Sequence, residues 1–235
     1  MDTAPAGPEL TEHLMSIPPF EVALWIGLLA AALGGLQGAL FAAGQKTHRI
    51  DVLGVVVIGI ITALGGSLLR DVVLNVPPVV IWDNWYLVVA GAAALLGMLL
   101  QPFISRVHWP LVILDSVVMG LFGAVGASKA LSLGVGWAGA LVVGIIGAIG
   151  GGMVRDVILN LPVSFLHVGT LYAVAAGTGV STLIVLTHFG VGILIAGVIC
   201  VAVTVVMRVS AVIFGWTFPE QSAVYPRRSR PATQR

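Results

Sequence analysis

Charge is scarce in this chain: 235 residues include 11 Lys and Arg and 10 Asp and Glu, 9% in all, against 58% hydrophobic residues. So little polar surface cannot cover a water-soluble globule, and a mean hydropathy of +1.07 marks an integral membrane protein in contact with a lipid bilayer. Net charge is only +1 and no basic block interrupts the apolar sequence, which leaves no case for nucleic acid. A lone cysteine, Cys200, excludes an internal disulfide and reads as packing. No Lys or Arg precedes the first apolar span, where Asp2, Glu9 and Glu12 stand instead, so no cleaved leader is expected. A Walker loop, a serine nucleophile elbow and an H-E-x-x-H are all missing, and the five histidines are scattered. The expectation is a protein that is not an enzyme and carries no metal site and no cofactor. Gly134 to Gly139 satisfies G-x-G-x-x-G but follows a membrane helix, not a strand, and is rejected as a nucleotide site.

What is present is a duplication. Ala63 to Pro77 (ALGGSLLRDVVLNVP) and Ala148 to Pro162 (AIGGGMVRDVILNLP) share nine of fifteen residues at an offset of 85. Gly35 to Ala42 (GLQGALFA) and Gly120 to Ala127 (GLFGAVGA) share five of eight at the same offset. Tyr86 to Gly91 and Tyr172 to Gly177 share four of six at offset 86. Three successive apolar segments are therefore repeated.

Runs of about 20 apolar residues, at about 1.5 Å per residue, span a hydrocarbon core of about 30 Å as helices, and the alternating strands of a barrel are missing. The spans are placed at 19–43, 52–80, 85–101, 111–133, 137–165, 168–187 and 190–214. The expected fold is all-α and seven-spanning. A polar segment 1–18 leads into a three-helix repeat 19–101, an inverted repeat 111–187, a seventh helix 190–214 and a basic tail 215–235. The repeats are inverted because a unit of three spans enters the membrane from opposite sides in its two copies. Lys46 and Arg49, Arg106, and the tail's Arg227, Arg228, Arg230 and Arg235 all fall on one side, which the positive-inside rule makes cytoplasmic, with the N-terminus outside.

Segments 52–80 and 137–165 exceed one straight span, and each holds a glycine cluster (Gly65 and Gly66; Gly150, Gly151 and Gly152) and a later proline (Pro77; Pro162). Each glycine weakens a helix by about 1 kcal/mol relative to alanine, so two discontinuous helices crossing near mid-membrane are predicted. Arg70-Asp71 and Arg155-Asp156 follow these clusters, and an Arg at bilayer depth costs at least about 2.5 kcal/mol unless it is paired or wet. Two roles stay open for them, locking the fold by ion pairs or lining a polar path with the glycine-freed backbone. Lys129 either snorkels to the interface or projects into that cavity. Asp51 and Asp115 open the second and fourth spans, as helix caps or as a cation-attracting vestibule. Arg208 reads as snorkelling.

The paired signatures GGSLLRD and GGGMVRD resemble those of the bacterial branch of the TRIC family, the trimeric intracellular cation channels. GALFAAGQK, DSVVMGLFGAVGASKAL and VVMRVSAVIFGWTFP add to the likeness, which runs from about residue 22 to 219 and extends to proteins labelled as bacterial glycine-transporter domains. The resemblance implies a multi-pass protein of the bacterial inner membrane, assembled as a homotrimer with one monovalent-cation pore per protomer, chiefly for K+ with Na+ possible. It implies a pore between kinked second and fifth helices, with Gly65, Gly66, Ser67, Gly150, Gly151 and Gly152 at the kinks and Arg70, Asp71, Arg155 and Asp156 as its charges. Lys129 matches the fourth-helix lysine implicated in voltage-dependent gating. Ser67 replaces the third glycine of the first cluster, Gln37 stands where relatives often carry serine, and the basic phosphoinositide cluster of animal members has no equivalent here. The rival reading is a secondary transporter for a small zwitterion such as glycine, whose carboxylate and ammonium the broken helices would hold.

Overall fold

A computed structural model of the chain describes residues 24–45, 50–104, 108–163 and 171–217. The described residues form eight helices: α1 Leu24–Ala43, α2 Val52–Val73, α3 Val79–Trp82, α4 Asn84–Ile104, α5 His108–Ser132, α6 Trp137–Ile158, α7 Tyr172–His188 and α8 Ile193–Phe214. Six of them are long and apolar enough to cross a membrane, and α7, at 17 residues, is a shorter apolar helix. The polar segment 1–18, Lys46, Arg49, Arg106 and the tail's four arginines lie outside the described residues.

Each of the two long segments ends earlier than its apolar run suggests. In α2 the chain turns at Asn75, whose φ is 53°; its N–H bonds the Val72 carbonyl at 3.1 Å and that of Val76 reaches back to Asp71 at 3.0 Å. The end of α6 repeats this, with Asn160 at φ 51° and bonds to Val157 and Asp156 at 3.1 and 2.8 Å. This is the paired closure of a Schellman motif, with Asn, whose short polar side chain suits it, in the left-handed position that costs most L residues about 1–2 kcal/mol. Val79–Trp82 then forms a separate short helix.

The expectation of discontinuous helices is corrected. Both α2 and α6 run as unbroken helix through their glycine clusters. The glycines serve close approach instead. A Cβ on Gly66 would strike the Gly147 carbonyl oxygen, and one on Gly151 would strike that of Thr62. The two pairings, 66 with 147 and 62 with 151, run in opposite senses along the chain, so α2 and α6 cross antiparallel backbone to backbone. Small residues bring membrane helices this close.

Around this crossing α1 packs on α2 and α4, while α5 packs on α6 and α8. Buried residues are small, as in the clusters Ala31, Ala63, Ala90 and Ala124, Ala127, Ala196. The outer faces of α4 and α8 present Leu87, Leu95, Leu99, Ile195, Val198 and Val206. Water would not tolerate that apolar area.

Candidate functional site

Arg70 and Arg155 each lie four or five residues past the crossing on their own helix, about 7 Å along the axis. Because the helices are antiparallel, the two dipeptides sit on opposite sides of it. All four side chains are buried: Arg70 is 5% exposed, Asp71 0%, Arg155 4% and Asp156 1%.

On the first side, Asp71 Oδ1 accepts hydrogen bonds from Arg70 Nε at 2.7 Å and from Lys129 Nζ at 2.8 Å, and Oδ2 accepts one from the Val79 N–H at 3.2 Å. The early end of α2 makes the last bond possible, because the turn at Asn75 brings α3 back over the carboxylate. One carboxylate thus holds two cations, so the cluster carries a formal +1. Arg70 and Lys129 line a cavity of about 360 Å³ with Ser67 and Tyr86, walled by Ala30 and Phe122. Ser67 spends its hydroxyl on the Leu64 carbonyl at 2.8 Å. Lys129 therefore projects inward.

On the second side, Arg155 clamps Asp156 with Nε at 3.0 Å and Nη2 at 2.8 Å, and its guanidinium lies 3.8 Å above the Phe41 ring. Beside it Asp115 Oδ1 accepts from Gln37 Nε2 at 2.5 Å and from the Tyr172 hydroxyl at 3.1 Å. Arg208 packs over the Tyr172 ring at 4.7 Å instead of reaching for the interface. The space left among Gly152, Arg155, Asp156 and Tyr172 is about 10 Å³, room for about one water at most.

The sequence-based site residues divide accordingly. Gly65, Gly66, Gly150 and Gly151 meet at the crossing, and the charged residues flank it. Asp51 caps α2, accepting from the Gly54 N–H at 2.7 Å. The placing of Asp115 at the opening of its span is corrected, since α5 begins at His108 and Asp115 lies about two turns inside it, partly buried. Pro110 explains the early start, because proline is tolerated in a first helical turn. Phe41, Tyr86 and Tyr172 were missed as site residues. The tyrosines had a signal, being the matched residues that open the third repeated segment.

The family model described as glycine transporter matches this chain twice, over residues 22–102 and 112–188, one match for each half of the duplication. Among solved structures, the trimeric intracellular cation channel orthologue from Rhodobacter sphaeroides has a TM-score of 0.74 and 26% identity, covering 83% of this chain and 99% of that one. A structure from work on conductance through TRIC cation channels has a TM-score of 0.73 and 27% identity, covering 86% and 98%. The chain belongs to the bacterial branch of the TRIC family. Among relatives by sequence, a UPF0126 membrane protein of Deinococcus radiodurans is 33% identical over 168 residues, 70% of this chain and 77% of its own length. The UPF0126 inner membrane protein YadS of Escherichia coli K12 is 36% identical over 137 residues, 57% and 64% of the two chains. The protein is thus a multi-pass membrane protein whose structural neighbours are channels.

Proposed function

We propose that the chain is a passive monovalent-cation channel, conducting chiefly K+ and also Na+, without a cofactor. It works as a homotrimer in the bacterial inner membrane, each protomer passing ions along the α2–α6 crossing. Seven spans form an inverted three-plus-three repeat, with α8 as the seventh; the N-terminus is outside and the tail cytoplasmic. The observation that carries this reading is the cavity bordered by Arg70 and Lys129, both held by the buried Asp71 beside the crossing. Its likeness to solved cation channels points the same way.

The charges suggest how voltage acts. With Lys129 on Asp71 the cluster is net positive and repels a cation at short range in a low-dielectric site. Withdrawing the ammonium leaves a neutral Arg70–Asp71 pair and lowers that barrier. Lys129 stands near the end of α5, on the outer side in this orientation, so an interior-positive potential draws it out and opens the path. One charge through the full field is worth about 2.3 kcal/mol per 100 mV, enough to shift a gate. Asp51 serves as helix cap at the opposite mouth.

Protein reconstituted in planar bilayers is expected to give K+ currents whose voltage dependence is lost in Lys129→Ala. Well-folded protein that stays silent over a wide voltage range refutes the channel. A second reading, transport of a zwitterion such as glycine, draws on the one-sided cavity, where Arg70 and Lys129 stand ready for a carboxylate. Saturable glycine counterflow in proteoliposomes without unitary currents would favour it.

A further inference from the structure

The two cavities are one site built twice. Leu64, Ser67, Arg70 and Tyr86 line the large one; their repeat partners Ile149, Gly152, Arg155 and Tyr172 line the small one. One measures about 360 Å³ and the other about 10 Å³.

The difference lies where the duplicated sequence has diverged. Each arginine reaches the first helix of the other half at the same repeat position, residue 41 for Arg155 and residue 126 for Arg70. Residue 41 is Phe, and its ring lies 3.8 Å under the Arg155 guanidinium. Residue 126 is Gly; a Cβ there would sit 3.7 Å from Arg70 Cδ, so this position puts no ring under that arginine, which borders the large cavity. A second divergence adds to the first. Ala30 and Phe122, which wall the large cavity, correspond to Asp115 and Gln37, which bond each other behind Tyr172, a residue that lines the small one. Tyr172 joins that bond, and Arg208 of α8, a helix outside the repeat, covers the tyrosine.

We propose that Phe41 is the plug of the Arg155 side, holding that half of the path shut, with the Gln37–Asp115–Tyr172 bonds as its latch. The proposal rests on the channel reading for what passes and on geometry for what is closed. Phe41 is a positioning residue, because it closes the space by carrying the Arg155 guanidinium across it. Arg155 does not depend on the ring for charge neutrality, since Asp156 clamps it through two nitrogens. Removing the ring therefore opens space without stranding a buried charge.

The test uses the repeat itself. Ser67→Cys and Gly152→Cys place thiols at equivalent positions, one in each cavity, and the native Cys200 is fully buried and silent. A Cβ at Gly152 finds nothing nearer than the Tyr172 hydroxyl at 3.6 Å and Arg155 Nη2 at 3.7 Å, ordinary contact that lets the thiol fit. Full-length protein in nanodiscs, reachable from both faces, is treated with a water-soluble methanethiosulfonate. The thiol at 67 is expected to react at least about tenfold faster than that at 152, as a mostly closed second cavity requires. Adding Phe41→Gly to Gly152→Cys is expected to bring the two rates within about threefold, and Phe41→Leu, which keeps bulk, to do less.

Equal rates at 67 and 152 with Phe41 in place overturn the proposal. So does a slow thiol at 152 after Phe41→Gly in protein of unchanged gel-filtration profile; where that variant does not fold, Phe41→Ala is read in its place. The K+ flux of the same samples separates the two layers of argument. Flux in the parent protein with labelling unmoved by Phe41→Gly removes the plug and leaves the channel. Labelling as expected without flux in any variant leaves the plug and removes the channel.

Discussion

Neighbouring alanines at Gly151 and Gly152 are expected to move stability in opposite directions. If the cluster existed to weaken a helix, each Gly→Ala change would stabilise it by about 1 kcal/mol. At Gly151 the crossing forbids this, because a Cβ there stands 3.2 Å from the Thr62 carbonyl carbon and closer still to its oxygen. Backbone cannot rotate aside, so the helices must part. Overpacking costs about 1–3 kcal/mol, and a backbone neighbour puts this case at the upper end. Set against the helix-propensity gain, a net loss of about 2 kcal/mol remains. Gly152 has nothing nearer than the tip of Tyr172 at 3.6 Å and keeps the gain. At about 2–4 °C per kcal/mol for a chain of this size, Tm falls by about 4–8 °C in Gly151→Ala and rises by about 2–4 °C in Gly152→Ala. Thermal unfolding of the detergent-solubilised protein, followed by tryptophan fluorescence, reads both. A rise in both refutes the crossing argument and restores the glycines as helix breakers.

Asp71→Asn leaves Arg70 and Lys129 buried around a neutral amide and is expected to cost about 3–5 kcal/mol, as loss of one partner from a buried ion pair does. Lys129→Met alone costs less because Arg70 still holds the carboxylate, and the double variant regains part of the loss; melting curves of the three that are simply additive contradict a shared cluster. Asn75→Ala and Asn160→Ala are expected to lose about 1–2 kcal/mol each from the left-handed turns, with Gly at the same positions near neutral; equal melting of the Ala and Gly variants refutes the role given to those turns.

The spans were legible because length and hydropathy alone decide them, but their ends were not. Val76, Val79 and Val80 continue the apolar character past the end of α2, and the helix closes at Asn75, two residues before Pro77, in a backbone turn that hydropathy does not register. The glycine clusters were visible and their purpose was not, since weakening a helix and admitting a neighbour demand the same residue; only the partner carbonyls of Thr62 and Gly147 decide. Lys129 lay between two readings for the same reason, as the carboxylate that draws it inward is 58 residues away. Asp115 falls inside its helix and not at the start because the start at His108 rests on proline's tolerance in a first turn, a weaker signal than a polar residue at the head of an apolar run.

The duplicated Arg-Asp pair left two roles open, a lock for the fold and the lining of a path, and the folded chain surrounds the two copies differently. Arg155 spends Nε and Nη2 on Asp156 and its planar face on Phe41, an arrangement suited to holding α1 and α6 together. Arg70 gives only Nε to Asp71, shares that carboxylate with Lys129, and borders the larger cavity. Nothing in the dipeptide distinguishes them, because the two copies match residue for residue. What separates them sits elsewhere in the repeat, at the unmatched positions 41 and 126 and at 30 and 115. In a duplicated chain, identity between the halves reports what both must do to fold, so the differences are where a direction across the membrane is written.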